Sequence, residues 1–149
     1  MRGRGTAPGP RNGGYVPITF TFDTLNLADN TLAAAIQVPF ACRAEAFTWH
    51  VDTTPTATNV LTLAKSATSV IGGTNLLSAT IDLAAVPEGL ARPAGTTPTL
   101  STVAGVRDIA TAQFVTLEID GGGTGDMTRF ACSLWVYVLD HANTDPAND

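Results

Sequence analysis

The chain has 149 residues and a net charge of −5, and only 14% of it is charged, against about 25% in an ordinary soluble domain. That length fits one domain able to bury roughly 68–70% of the surface its unfolded chain exposes, with no need of disulfides. The acidic balance argues against a nucleic-acid binder, and no run reaches the roughly 18 to 20 apolar residues of a membrane span. The weakly charged surface suits permanent contacts and points to a homo-oligomer.

Residues 1–14, Met-Arg-Gly-Arg-Gly-Thr-Ala-Pro-Gly-Pro-Arg-Asn-Gly-Gly, hold five Gly and two Pro. So few side chains can be buried that the segment reads as an extended arm, not as helix or strand. Its charges are Arg2, Arg4 and Arg11, so the remainder sets five bases against thirteen acids, a net of −8. Arm and body are electrostatic opposites, and the arm reads either as a tether onto a neighbouring subunit or as a solvated tail. Its basic residues are not followed by the apolar stretch of a secretory signal, so synthesis in the cytoplasm is expected.

The body, residues 15–140, reads as strands. Tyr15 to Leu25 alternates Val16, Ile18, Phe20 and Phe22 against Thr19, Thr21 and Asp23, the pattern of a half-buried strand that Pro17 places at a sheet edge or strand start. Thr31 to Val38 is alanine-rich but too short for an independent helix before Pro39, so it is assigned as strand. From Phe40 the inward parity is even through Cys42, Ala44 and Ala46, then odd through Phe47, Trp49 and Val51, which calls for a β-bulge near Glu45 or Ala46. Asn59 to Lys65 and Leu76 to Leu83 follow as strands, the second with Leu77, Ala79, Ile81 and Leu83 inward. Ala84 to Thr99 is irregular. Leu100 to Val103, Ile109 to Asp120 and Met127 to Leu139 complete the strands, and 141–149 form an acidic tail.

Met127 to Leu139 organises the rest. Phe130, Cys132, Leu134, Val136 and Val138 share one face, which should be core. The opposite parity ends in Trp135, Tyr137 and Leu139, so its outer face is apolar too, and these three residues are read as a subunit interface. Phe40-Ala41-Cys42 repeats the tripeptide Phe130-Ala131-Cys132, and the two stretches read as paired central strands. The whole is all-β: an antiparallel β-sandwich, a jelly roll of about eight strands, with an extended N-terminal arm.

Chemistry is sparse. Cys42 and Cys132 are expected as buried free thiols, with a disulfide between them as the alternative. Asp120-Gly-Gly-Gly-Thr-Gly-Asp126 could wrap a hard cation but lacks the spacing and repetition of calcium nonapeptides, and no metal or other cofactor is assigned. His50 and Asp52 share a strand face without a nucleophile nearby. Glu45, Asp52, Glu118 and Asp120 are the carboxylates that convergence could turn into a glycosidase pair, but nothing in their spacing brings them together, and no catalytic residue is assigned. Trp49, Trp135 and Tyr137 leave open a carbohydrate-binding module, with packing as the competing account.

The runs Ile36-Gln37-Val38-Pro39-Phe40-Ala41-Cys42, Trp49-His50-Val51-Asp52, Val60 to Lys65 and Asn75 to Leu83 resemble a pattern in structural proteins of tailed bacteriophages, the small β-sandwich cement, decoration or fibre proteins of virions. The likeness spans roughly residues 32–139. It implies a non-enzymatic protein, often trimeric, that sits on the capsid exterior and binds across joints between major capsid proteins after assembly in the bacterial cytoplasm. Arg2, Arg4 and Arg11 would then lace onto capsid or neighbouring subunits. A head-fibre or tail-fibre module and a free carbohydrate-binding domain are the alternatives.

Overall fold

A computed structural model describes residues 14–26, 31–50, 60–82, 99–120 and 126–139. They form nine strands: β1 (Tyr15–Asn26), β2 (Thr31–Gln37), β3 (Cys42–His50), β4 (Val60–Ser66), β5 (Thr74–Asn75), β6 (Ile81–Asp82), β7 (Asp108–Ile109), β8 (Phe114–Asp120) and β9 (Asp126–Val138). No helix occurs among the described residues. Two antiparallel sheets pack face to face. The first has the order β1-β9-β3-β7; the second runs β2-β8-β4, with β5 and β6 both on the far edge of β4.

Period-two alternation decides which side chains enter the core. Along β9, Phe130, Cys132, Leu134, Val136 and Val138 are all buried. On one side they meet β1 through Phe22↔Phe130, Phe20↔Cys132 and Ile18↔Leu134. On the other they meet β3 through Trp49↔Cys132, Phe47↔Leu134 and Cys42↔Val138. The second sheet answers with Leu61 and Leu63 from β4 and Val115, Leu117 and Ile119 from β8, all buried. Pro17 lies in β1, whose one ladder is to β9, so the missing amide falls on a sheet edge as expected.

The bulge in β3 is present. Its register against β9 shifts between Ala44 and Ala46, leaving Glu45 as the extra residue. The flip comes one position earlier than the sequence pattern suggests: Ala46 is exposed opposite Trp135, and the inward series resumes at Phe47 and Trp49. Val51 and Leu83, both read as inward, lie outside the described residues.

Three expected strands need correction. Leu76 to Leu83 is not one strand, because Leu76 and Leu77 are consecutive and both buried while Ala79 is exposed. That pattern belongs to a corner, with short β5 before it and β6 after it. Leu100 to Val103 contributes an isolated bridge, Leu100 to Leu77, and then turns. Ile109 to Asp120 divides between the sheets: β7 pairs with β3, and β8 pairs with β2 and β4.

Lys65 joins the layers at one end of the sandwich. It lies opposite Val115 on the inward parity of β4, and its ammonium donates to the carbonyls of Gly105, at 2.7 Å, and Asp108. One carbonyl lies in the turn before β7 and the other in its first residue, so a side chain of the second sheet holds the edge strand of the first.

The thiols are in the core. Cys42 lies opposite Val138 and Cys132 opposite Trp49, which separates them along β9 by about 20 Å at roughly 3.3 Å per residue, too far for a disulfide. Both are free. Burial pushes Cys42 up to about 11 and Cys132 up to about 12 from an ordinary 9.0. Because both folded values are raised, the thiol contribution to stability is complete below pH 9.0 and is lost as pH rises through about 11 and about 12. At pH 8 a thiol reagent should therefore leave both cysteines of the native protein unmodified and label both in urea, and urea midpoints should fall progressively above pH 9. In the same core, Phe130→Ala should cost about 3–5 kcal/mol in urea unfolding, the range for emptying a fully packed aromatic site.

Candidate functional site

The two outer faces of the sandwich differ. On the second sheet, outward-pointing Ala64 and Thr116 are nonetheless fully buried. Gly72 and Gly73 come back toward this face, held by Glu118: its carboxylate accepts from the amides of Gly72 at 3.0 Å and Gly73 at 3.3 Å, and from the Thr116 hydroxyl at 2.8 Å. Gly73 comes so close that a Cβ there would lie 2.7 Å from the Lys65 carbonyl oxygen and 3.0 Å from the Ala64 Cβ. This face is partly closed by its own chain.

The first sheet has no such cover among the described residues. The register aligns Tyr15, Tyr137 and Arg43 in one cross-strand row, and Pro17, Trp135 and Ala46 in the next. The Tyr15 and Tyr137 rings meet edge to face, 5.3 Å between centroids at 68°, the geometry their quadrupoles favour. Yet Tyr15 remains 62% exposed, Trp135 39% and Leu139 42%. Leu139 continues the edge of the patch just past β9, its amide donating to the Ala41 carbonyl at 3.1 Å. Beyond these rings the face turns to small and hydroxyl side chains, including a Thr19–Ser133 hydrogen bond of 3.0 Å.

Charges border the aromatic rows. Glu45, which follows inward Ala44 and points outward, pairs with Arg107 at 3.2 Å and Arg43 at 3.7 Å, and Arg43 also reaches Asp108 at 3.7 Å. Two cations and two anions balance there. Such solvent-exposed pairs add about 0–1 kcal/mol each, so their importance lies in giving the patch a polar rim. An aromatic centre rich in Trp and Tyr, with Arg beside it and a charged rim, has the composition of a protein-binding hot spot.

Trp135, Tyr137 and Leu139 thus lie together on one outer face, as the alternation requires. Tyr15 completes the patch and is a member that the alternation of β9 alone does not reveal. The signal for it is the outward parity of Tyr15 and Pro17, usable once the first strand is known to pair with the last. Arg2, Arg4 and Arg11 lie outside the described residues. So do Asp52 and the loop 121–125, and the side chains of Asp120 and Asp126 are not described. Glu45 and Glu118 do not converge, since they stand on the outer faces of opposite sheets. The described residues hold no group of three or more His, Cys, Asp and Glu placed to bind a metal.

Comparisons with protein-family models, with curated proteins and with solved structures gave no significant match for this chain.

The close approach at Gly73 makes a prediction about the covered face. Gly73→Ala should lower stability by about 1–3 kcal/mol in urea unfolding, because the new methyl meets backbone that can yield only by moving the strand. Tyr15→Ser, at an exposed position outside any such contact, should stay within about 1 kcal/mol by the same measurement.

Proposed function

We propose that this chain is a structural virion protein, a cement or decoration protein that binds the outer surface of a capsid and stabilises contacts between major capsid proteins. The reading combines the sequence resemblance with two features of the fold. First, the strands pair in a nested order: β1 with β9, β2 with β8, β3 with β7, and β4 with β5 and β6. That is the order of one long hairpin, and the added pairs β3–β9 and β4–β8 are those made when the hairpin rolls up. On this account the sandwich is a jelly roll, an architecture used by viral capsid and lectin domains alike.

The observation that carries the functional reading is the uncovered Tyr15–Trp135–Tyr137 face. Desolvating Trp and Tyr rings inside a polar rim supplies binding energy without reactive groups, as an assembly protein requires. In this proposal the chain works as a binding module with no cofactor, forms a trimer on the particle exterior, and uses Arg2, Arg4 and Arg11 to hold acidic surfaces of capsid or neighbouring subunits. Repeated weak contacts from several linked subunits then act together, raising occupancy well beyond that of one contact.

A second reading rests on the same rings. Aromatic planes beside hydrogen-bonding Arg43 and Glu45 could stack on a sugar, which is the fibre-module or carbohydrate-binding alternative. The two separate by experiment. If the chain is cement, Trp135→Ser combined with Tyr15→Ser should weaken binding to purified capsids at least tenfold while thermal melting still shows a cooperative fold, and a glycan array should stay blank. Glycan binding lost in the same variant, with capsid occupancy unchanged, would favour the alternative.

A further inference from the structure

We propose that the occupant of the Tyr15–Trp135–Tyr137 face in the assembled protein is the segment Pro8-Gly9-Pro10-Arg11 of a second copy of this chain. The inference deepens the assembly reading of that face and names what covers it between subunits.

The first argument is where the described chain begins. The Gly14 carbonyl accepts from the Val138 amide at 3.1 Å, so the β1–β9 ladder is still in register one step beyond Tyr15↔Tyr137. The line of β1 at Gly14 therefore leads off the end of the sheet, away from Pro17 and Trp135, which lie further in. Reaching its own patch would require the chain to reverse within Arg11 to Gly13, whereas a neighbour's patch requires no reversal. Length allows this. Arg11 and Pro8 stand three and six residues before Gly14, within roughly 10–11 Å and 20–22 Å of it at about 3.3–3.6 Å per residue, so the contact is one between closely adjoining subunits.

The second argument is chemical. Proline-rich segments favour the extended polyproline II form, lose little entropy on binding, and are recognised by surfaces lined with aromatic rings. Trp135 and the Tyr15–Tyr137 pair offer such a surface, exposed in adjacent rows. Arg11 follows Pro10 directly, so a guanidinium can lie over an aromatic face while Glu45 and Asp108 stand at the rim. Long-range charge acts in the same direction, because the arm carries Arg2, Arg4 and Arg11 and the remaining chain a net of −8.

The test uses full-length chains in sedimentation velocity. An arm variant (Pro8→Gly, Pro10→Gly, Arg11→Gln) keeps an intact patch, and a patch variant (Trp135→Ser) keeps an intact arm. The wild type should self-associate, less tightly as salt is raised, and each variant alone should do so at least tenfold more weakly. Mixing the two variants should restore a one-to-one complex, since one supplies the arm and the other the patch. Tyr15→Ser serves as a second patch variant if Trp135→Ser does not melt cooperatively. Fluorescence gives an independent readout: of the two tryptophans, Trp49 is buried, so dilution of the wild type should shift the emission of Trp135 to the red.

A wild type that stays monomeric from micromolar to millimolar concentration would overturn the proposal, as would undiminished association of either variant or a mixture that fails to combine. Self-association of the free protein reads the arm-to-patch contact alone and capsid occupancy reads the cement function, so either can fail without the other.

Discussion

Everything in this fold depends on the ladder partners of β9. The strand contributes five buried side chains to one face and is paired along both edges, to β1 and to β3. It joins the two ends of the chain: Thr19 and Ser133, bonded through their hydroxyls, are 114 residues apart in sequence. A contact of that separation carries a large closure entropy and slows folding, so the β1–β9 pair must be stabilised by the burial it completes. Phe20, Phe22, Phe130 and Leu134 supply that burial, and β3 extends it through Trp49 and Phe47.

Long alternating strands were legible in the sequence because burial on one face only leaves a period of two. β1, β3, β4 and β9 follow the pattern, as does the bulge at Glu45, which betrays itself as a change of parity. Segments whose structure is set by tertiary partners were not legible. Leu76 and Leu77 are both buried at a corner, which erases the alternation, and β7 is a two-residue strand whose place is fixed by Arg43, Cys42 and the Lys65 ammonium. The candidate site was legible in part for the same reason. Trp135, Tyr137 and Leu139 could be placed on one face from β9 alone, whereas adding Tyr15 requires knowing that the first and last strands are neighbours.

The covered and uncovered faces are produced by different uses of glutamate. Glu118 is turned toward backbone amides and a hydroxyl, so its charge holds Gly72 and Gly73 against the strand that carries Ala64. Glu45 points outward at the bulge beside exposed Ala46 and is balanced by Arg43 and Arg107, next to the exposed rings. Had the sequence placed a loop with a close-packing glycine above Trp135 as it does above Ala64, the aromatic rows would be internal. Their exposure is thus a property of connectivity as well as of composition.

The division of charge along the chain gives such a surface two separable sources of affinity. In the proposed assembly the rings of Tyr15, Trp135 and Tyr137 would bind through desolvation, a contribution that salt does not screen and that local ion pairs leave electrically neutral. In the same proposal Arg2, Arg4 and Arg11 would act on an acidic surface through long-range attraction, which falls off beyond about 8 Å at physiological ionic strength. The first term sets how long a contact lasts and the second how often it is found. A chain with so few charges nevertheless places three arginines in its first eleven residues, apart in sequence from the exposed rings that the sheet holds in fixed rows, so the proposed electrostatic and apolar contributions can be altered one at a time.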